Sequence, residues 1–174
     1  MKLYKNLVLV GMMGSGKSLI GKILSRKLNF DFIDTDSQIE EKEKKAIPEI
    51  FKINGEKYFR DVEELISLKS LKSNNKVIAL GGGGYINPAI RKCALQNCIS
   101  FWLNWKNDTL IERIKNSKKR PLAMKLNNLE LNKLIGKRST TYNLSDYKIN
   151  CDKLSKKEIV EKIIELYESS TNKN

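Results

Sequence analysis

Gly11-Met12-Met13-Gly14-Ser15-Gly16-Lys17-Ser18 decides how this chain folds. The eight residues fit the G-x-x-x-x-G-K-[ST] phosphate loop. They follow an apolar run, Asn6-Leu7-Val8-Leu9-Val10, that reads as a buried strand. They lead into Leu19 to Leu28, whose apolar residues recur at helical spacing. Strand, glycine-rich turn and helix thus arrive in the order a triphosphate site needs. Glycines let backbone N–H groups converge on phosphate oxygens, and the helix N-terminus adds partial positive charge. Lys17 can reach the outer phosphates, and the Ser18 hydroxyl can ligate Mg²⁺.

Working outward, the chain of 174 residues suits one α/β domain spanning 1–174, with a polar C-terminal tail at about 169–174. Hydrophobic residues at 40% and charged residues at 30% describe a soluble globular protein. No apolar stretch approaches the roughly 20 residues that span a bilayer. Met1 to Lys5 runs straight into the first strand, which leaves no room for a signal peptide. Cys93, Cys98 and Cys151 are too scattered for a disulfide framework or a zinc site, and read as reduced thiols of a cytoplasmic protein. Net charge is +13, with 33 Lys plus Arg against 20 Asp plus Glu, which suits anionic ligands. The lysines are spread rather than gathered with aromatics, so nucleic acid is not the expected partner. Histidine is absent, which excludes Ser-His and Cys-His catalysis. Phosphoryl transfer needs no histidine, since it relies on positioning and electrostatics.

Short apolar runs alternate with amphipathic stretches. Strands are predicted at Leu7 to Val10, Phe30 to Ile33, Val77 to Leu80, Ile99 to Leu103 and Tyr147 to Asn150. Helices are predicted at 17–28, 37–44, 47–53, 56–72, 88–95, 107–116, 129–144 and 156–169. The alternation implies a five-stranded parallel sheet between two helical layers, an α/β/α sandwich. Ligands of such sheets gather at the carboxyl ends of the strands. The phosphate loop, Asp34-Thr35-Asp36 and Gly81-Gly82-Gly83-Gly84 are therefore expected to converge.

Asp34 and Asp36, two apart at a strand end, can both face that crevice while Thr35 faces elsewhere. One can hold Mg²⁺ through water and the other can accept a proton or hydrogen bond from an attacking hydroxyl. A helix cap at Asp36 or Ser37 is the competing reading. The four glycines offer a bare backbone surface that a ligand can approach closely. In Phe59-Arg60-x-x-Glu63, Arg60 can clamp a carboxylate with Glu63 orienting it, or form an ordinary surface ion pair. Lys118-Lys119-Arg120-Pro121-Leu122 reads as a mobile basic loop. Arg138 lies late on a helix, facing either crevice or solvent.

Taken together, these motifs resemble shikimate kinase. The resemblance runs from Leu7 to about Glu165 and rests on order and spacing: the phosphate loop, Asp34-Thr35-Asp36, Phe59-Arg60-x-x-Glu63, Gly81-Gly82-Gly83, Arg120-Pro121-Leu122 and Arg138-x-x-x-Tyr142. It implies a fold of the P-loop kinase type with a mobile lid at about 115–126. It also implies a monomeric cytoplasmic enzyme of aromatic amino-acid biosynthesis that transfers the ATP γ-phosphate to the 3-hydroxyl of shikimate, with Mg²⁺. By the same resemblance, Gly14, Ser15, Gly16, Lys17, Ser18 and Leu19 hold the ATP phosphates. Lys17 stabilises the γ-phosphoryl charge, Ser18 ligates Mg²⁺, and Asp34 holds it through water. Asp36 binds the shikimate hydroxyls where a base belongs, Arg60 and Arg138 grip the carboxylate, and Gly82 and Gly83 contact the ring. Arg120 is the lid arginine, and Arg113 falls where the family stacks a residue on adenine. Two departures stand out. Tyr85 occupies a place where small residues are usual, and is expected to narrow or reshape the floor. Asn150 to Lys153 carries no arginine where the family's adenine loop lies. A gluconate or nucleoside monophosphate kinase is the alternative enzyme, and a non-catalytic nucleotide or nucleic-acid binder the alternative class.

Overall fold

The structure, a computed structural model, describes residues 5–116 and 126–171. Five strands form one sheet: β1 (Asn6–Val10), β2 (Asp31–Asp34), β3 (Lys76–Ala79), β4 (Cys98–Asn104) and β5 (Tyr147–Asn150). Their spatial order is β2-β3-β1-β4-β5. Every pairing is parallel, with Leu7 opposite both Val77 and Ile99, and Asp34 opposite Ala79. The predicted strands are all present, with ends shifted by a residue or so.

Among the described residues, seven α-helices connect and cover the sheet: α1 (Lys17–Leu28), α2 (Thr35–Glu43), α3 (Ile47–Leu71), α4 (Pro88–Asn97), α5 (Asn107–Lys115), α6 (Asn128–Tyr142) and α7 (Lys156–Thr171). The two helices expected at 47–53 and 56–72 are run together as α3, with a break at Gly55 (φ 81°). Only glycine adopts that conformation cheaply. Helix α2 begins at Thr35, two residues before its expected start, because the Asp34 side chain caps it through Asp36 N and Ser37 N. The expected polar tail is helical as far as Thr171.

Strand β1 is buried along its whole length, so its side chains alternate between two apolar layers. Leu7 and Leu9 face Ile20 and Leu24 of α1 together with Ile159 and Ile163 of α7. Val8 and Val10 face the other layer, with Leu71, Ile90, Leu110, Ile114 and Ile135 from α3 to α6. This is the expected three-layer sandwich. A smaller cluster of Ile39, Ile50, Phe59, Val62 and Ile66 pins α2 against α3 beside the sheet. Cys93, Cys98 and Cys151 are buried and unbridged. Burial pushes the Cys98 and Cys151 thiols up to about 12, so neither is a nucleophile at neutral pH. Among the described residues, no helix is long and apolar enough to cross a membrane.

Thr35 staples the strand ends that carry the site. Its hydroxyl donates to Ala79 O (3.3 Å) and accepts from Gly81 N (2.9 Å), both far along the chain and buried. Thr35→Val keeps the shape but orphans the Gly81 N–H, and should cost about 1–3 kcal/mol in urea unfolding. A midpoint equal to the parent's would contradict this role. Leu9 is fully buried at the sheet centre. Leu9→Ala should therefore cost about 2–5 kcal/mol by the same measurement.

Candidate active site

Between Val10 and α1 the chain turns through the glycine-rich loop. Gly14 (φ 78°) and Gly16 (φ 88°) sit in the left-handed region, where a side chain would be strained. Gly16 is also the N-cap of α1, and among the described residues no side chain caps that helix. The first-turn N–H groups of α1 are thus left to an anion, as a phosphate-binding helix start requires. The loop closes on itself through Ser15 N to Met12 O (3.2 Å). Lys17 lies buried at the head of α1, its Nζ donating to Gly11 O (2.9 Å) and Met12 O (3.0 Å). That places its charge along the loop, within a side chain's swing of its concave side.

The Ser18 hydroxyl donates to Asp34 Oδ2 at 2.5 Å. Two hard oxygens this close at a phosphate loop match what Mg²⁺ takes from protein, one hydroxyl and one carboxylate, with the rest of its shell supplied by water and phosphate. Among the described residues no cluster of three acidic, Cys or His side chains forms a self-sufficient metal cage. Asp34 therefore has two tasks. Oδ1 caps α2, where the competing reading of the sequence put Asp36 or Ser37, and Oδ2 faces Ser18.

One cavity of about 700 Å³ opens at the carboxyl ends of β1, β2 and β3. It is lined by Gly14, Gly16, Lys17, Ser18 and Leu19 from the loop side, and by Asp34 and Asp36 after β2. Arg60 and Glu63 of α3, Gly82 and Gly83, and Arg138 of α6 line the opposite side. The structure thus brings together every expected site residue except three. Ser15 is buried beneath the loop and contributes backbone. Arg113 is exposed on α5, with Nη1 donating to Gly14 O (3.4 Å), and does not line the cavity. Arg120 and the rest of 117–125, most of the expected lid, lie outside the described residues.

The acceptor end holds two arginines and two acids. Arg60 donates to Glu63 Oε2 (2.6 Å) and to Glu56 Oε1 (3.1 Å). Since the Glu63 side chain is only 3% exposed, this is not a surface ion pair. Burial pushes the Glu63 carboxyl up, Arg60 opposes that, and Asp36 adds to it. Burial works against the charged Arg60 guanidinium, but Glu63 and Glu56 outweigh it and hold its pKa above the ordinary value. Arg138 Nη1 reaches Gly82 O (3.4 Å), and Tyr142 Oη donates to the same carbonyl (2.5 Å). Arg138 thus faces the crevice.

The glycine run sets the spacing of these charges. A Cβ on Gly83 would meet Arg60 Nη1 at 2.5 Å, and one on Gly82 would lie 3.8 Å from Arg138 Nη1. The two guanidiniums thus stand against neighbouring residues of one glycine wall. A Cβ on Gly81 would collide with the Asp36 carboxylate and touch Glu63 Oε1 (3.0 Å). A side chain on this wall would thus displace the charged ends of Asp36 and Arg60.

Two expectations need correction or addition. Tyr85 does not narrow the floor: it is fully buried in the core layer with Val10, Met12 and Ile90, and does not line the cavity. The wall above it is glycine backbone, so the larger side chain is absorbed below the site. Trp105, unremarked in the sequence, touches the loop directly, its Nε1 donating to Ser15 O (2.9 Å). Its place just after β4, at the carboxyl edge of the sheet, was the available signal. In the arginine-free loop after β5, the Asp152 carboxylate accepts from Lys106 N (2.9 Å) and Thr109 Oγ1 (3.1 Å).

Comparison with known proteins agrees with this geometry. A family model described as shikimate kinase matches residues 13–168. The shikimate kinase of Persephonella marina is 41% identical over 161 residues, covering 92% of this chain and 97% of its own. That of Bacillus subtilis is 37% identical over 169 residues, covering 92% and 88%. The solved shikimate kinase from Acinetobacter baumannii, in complex with shikimate, superposes with a TM-score of 0.89 at 29% identity, covering 96% of this chain and 94% of that one. A gluconokinase from Sinorhizobium meliloti reaches a TM-score of 0.62 at 14% identity, a likeness of fold alone. A phosphate loop facing a two-arginine wall, matched along nearly the whole sequence, places this chain in the shikimate kinase family.

Proposed function

We propose that the crevice transfers the γ-phosphoryl group of ATP to the 3-hydroxyl of shikimate, giving shikimate 3-phosphate and ADP. The observation that carries this reading is the facing arrangement of Lys17 and the α1 N-terminus on one side and Arg60, Arg138 and Asp36 on the other, in one cavity. A ligand that fills it must bear phosphate at one end and a carboxylated alcohol at the other.

Each residue has a task in that transfer. The loop amides from Gly14 to Leu19 and the Lys17 ammonium hold the phosphates and offset charge that builds on the equatorial oxygens. Ser18 and, through water, Asp34 would hold Mg²⁺, which when bound would neutralise phosphate charge and align the terminal group. Arg60 and Arg138 grip the shikimate carboxylate in planar, bidentate fashion, which fixes the ring's orientation. Glu63 keeps Arg60 aimed at the glycine wall, and Gly82 and Gly83 let the ring lie close. Asp36 accepts the hydrogen bond of the attacking hydroxyl and takes its proton as the P–O bond forms. Little base strength is needed, because a loose phosphoryl-transfer transition state demands little from the nucleophile. Arg120, by its place in the sequence, meets the phosphates from the lid and helps exclude water. Arg113 serves the adenine side. The reading is of a single-domain monomer working on small molecules in the cytoplasm, without nucleic acid or membrane partners.

An ADP-release assay with shikimate, gluconate and nucleoside monophosphates tests the acceptor. Shikimate should stimulate strongly and the others weakly; the reverse would hand the site to another small-metabolite kinase. Asp36→Asn should lower kcat by about 100- to 10,000-fold while ATP still binds, and near-normal turnover would contradict its role. Arg138→Ala should weaken shikimate binding by about tenfold to a hundredfold, the loss of a hydrogen bond to a charged group, with ATP binding nearly unchanged. Equal losses for both ligands, read by calorimetry, would contradict a carboxylate grip.

A further inference from the structure

We propose that Trp105 is a nucleotide-positioning residue, acting at once through the Ser15 carbonyl and the Arg113 guanidinium. The inference rests on the reading of the loop as an ATP site and extends it to a residue outside the phosphate-loop motif.

Two contacts meet at this side chain. Trp105 Nε1 donates to Ser15 O at 2.9 Å, across 90 residues of chain. Arg113 lies over the indole ring, its Cζ 3.8 Å from the centroid, while its Nη1 reaches Gly14 O at 3.4 Å. Successive carbonyls of the loop are therefore held from behind by one connected pair of side chains. The packing is close, for a Cβ on Gly14 would touch Arg113 Cβ at 3.4 Å and Ile114 Cγ1 at 3.6 Å.

Peptide geometry converts these contacts into a binding effect. In a trans peptide the C=O and the following N–H point in opposite directions. Holding Ser15 O toward Trp105 therefore turns the Gly16 N–H away from the indole, toward the concave side where a phosphate sits. Gly16 has no side chain to fix that plane, and its positive φ lies in a region glycine can leave freely. The indole N–H supplies the constraint that the sequence at position 16 cannot. Preorganising an amide before binding lowers the ordering cost charged to the ligand.

The second effect concerns Arg113. A guanidinium on an indole face is held flat by cation–π attraction, strongest for tryptophan. One face of Arg113 is covered by Trp105, and the residue as a whole is exposed on α5. Its outer face is a rigid, planar, cationic platform beside the phosphate loop, suited to a purine ring. The resulting order is indole, guanidinium, base. Among the described residues the loop after β5 adds no arginine, and its Asp152 is engaged with α5. The platform on Trp105 thus carries the base contact from this side.

The test measures MgADP and shikimate binding separately, by calorimetry, for the parent, Trp105→Phe and Trp105→Leu. Phenylalanine keeps a ring beneath Arg113 and loses the N–H, whereas leucine loses both. MgADP dissociation constants should rise by about threefold for phenylalanine and about tenfold or more for leucine, with shikimate binding within about twofold of the parent. Indole emission gives an independent readout: MgADP should change it in the parent and leave the Trp105→Phe variant, whose remaining tryptophan is Trp102, unresponsive. That variant decides the matter even if Trp105→Leu does not fold. Unchanged MgADP affinity, or equal losses for both ligands, would overturn the proposal. A parent that binds MgADP but ignores shikimate would instead overturn the acceptor assignment, and the MgADP comparison would still judge Trp105.

Discussion

The parallel pairing of β3 between β1 and β2 is the constraint on which the site depends. With those three strands adjacent and pointing the same way, their three following loops must open at one edge. The phosphate loop, the Asp34–Asp36 turn and the glycine run meet there without any long excursion of chain. Thr35 then ties the second of these loops to the third, through Ala79 O and Gly81 N. Burial of β1 on both faces makes that edge rigid, and rigidity is what lets a reaction be catalysed by placement of charges.

The crevice is electrostatically divided. Its loop side offers backbone N–H groups, a helix N-terminus and the buried Lys17, all suited to phosphate. Its far side balances Arg60 and Arg138 against Asp36 and Glu63. Glu63 is too buried to be carried as a free charge, so its ion pair with Arg60 is part of the wall. A carboxylated ligand that shares Arg60 and Arg138 joins this network, whereas a neutral polyol leaves the cations without an anion beyond the protein's own. Discrimination by charge therefore adds to discrimination by shape.

Much of this was legible in the sequence, for identifiable reasons. Phosphate loops couple a fixed spacing to a fixed context, so Gly11 to Ser18 predicted strand, turn and helix together. Asp34 and Asp36 were placed by their position at a strand end, and Arg60 and Glu63 by helical spacing. What escaped was tertiary. Asp34 as both cap and Ser18 partner follows from φ/ψ at the strand end, which no spacing rule encodes. Tyr85 read as narrowing the floor because small residues are usual at its place, but the single 3₁₀ turn Gly84–Ile86 sends its side chain into the core. Trp105 offered only its place just after β4, because its partner Ser15 is 90 residues away.

The central claim is that a nucleotide and a carboxylated alcohol lie face to face in one crevice of one chain. A crystal structure of the complex with MgADP and shikimate tests it most directly. The account predicts the β-phosphate of ADP against the Gly14–Ser18 amides, the shikimate carboxylate between Arg60 and Arg138, and its 3-hydroxyl beside Asp36, directed at the position of the missing γ-phosphate. Shikimate bound elsewhere, or with its carboxylate toward the phosphate loop, would contradict it.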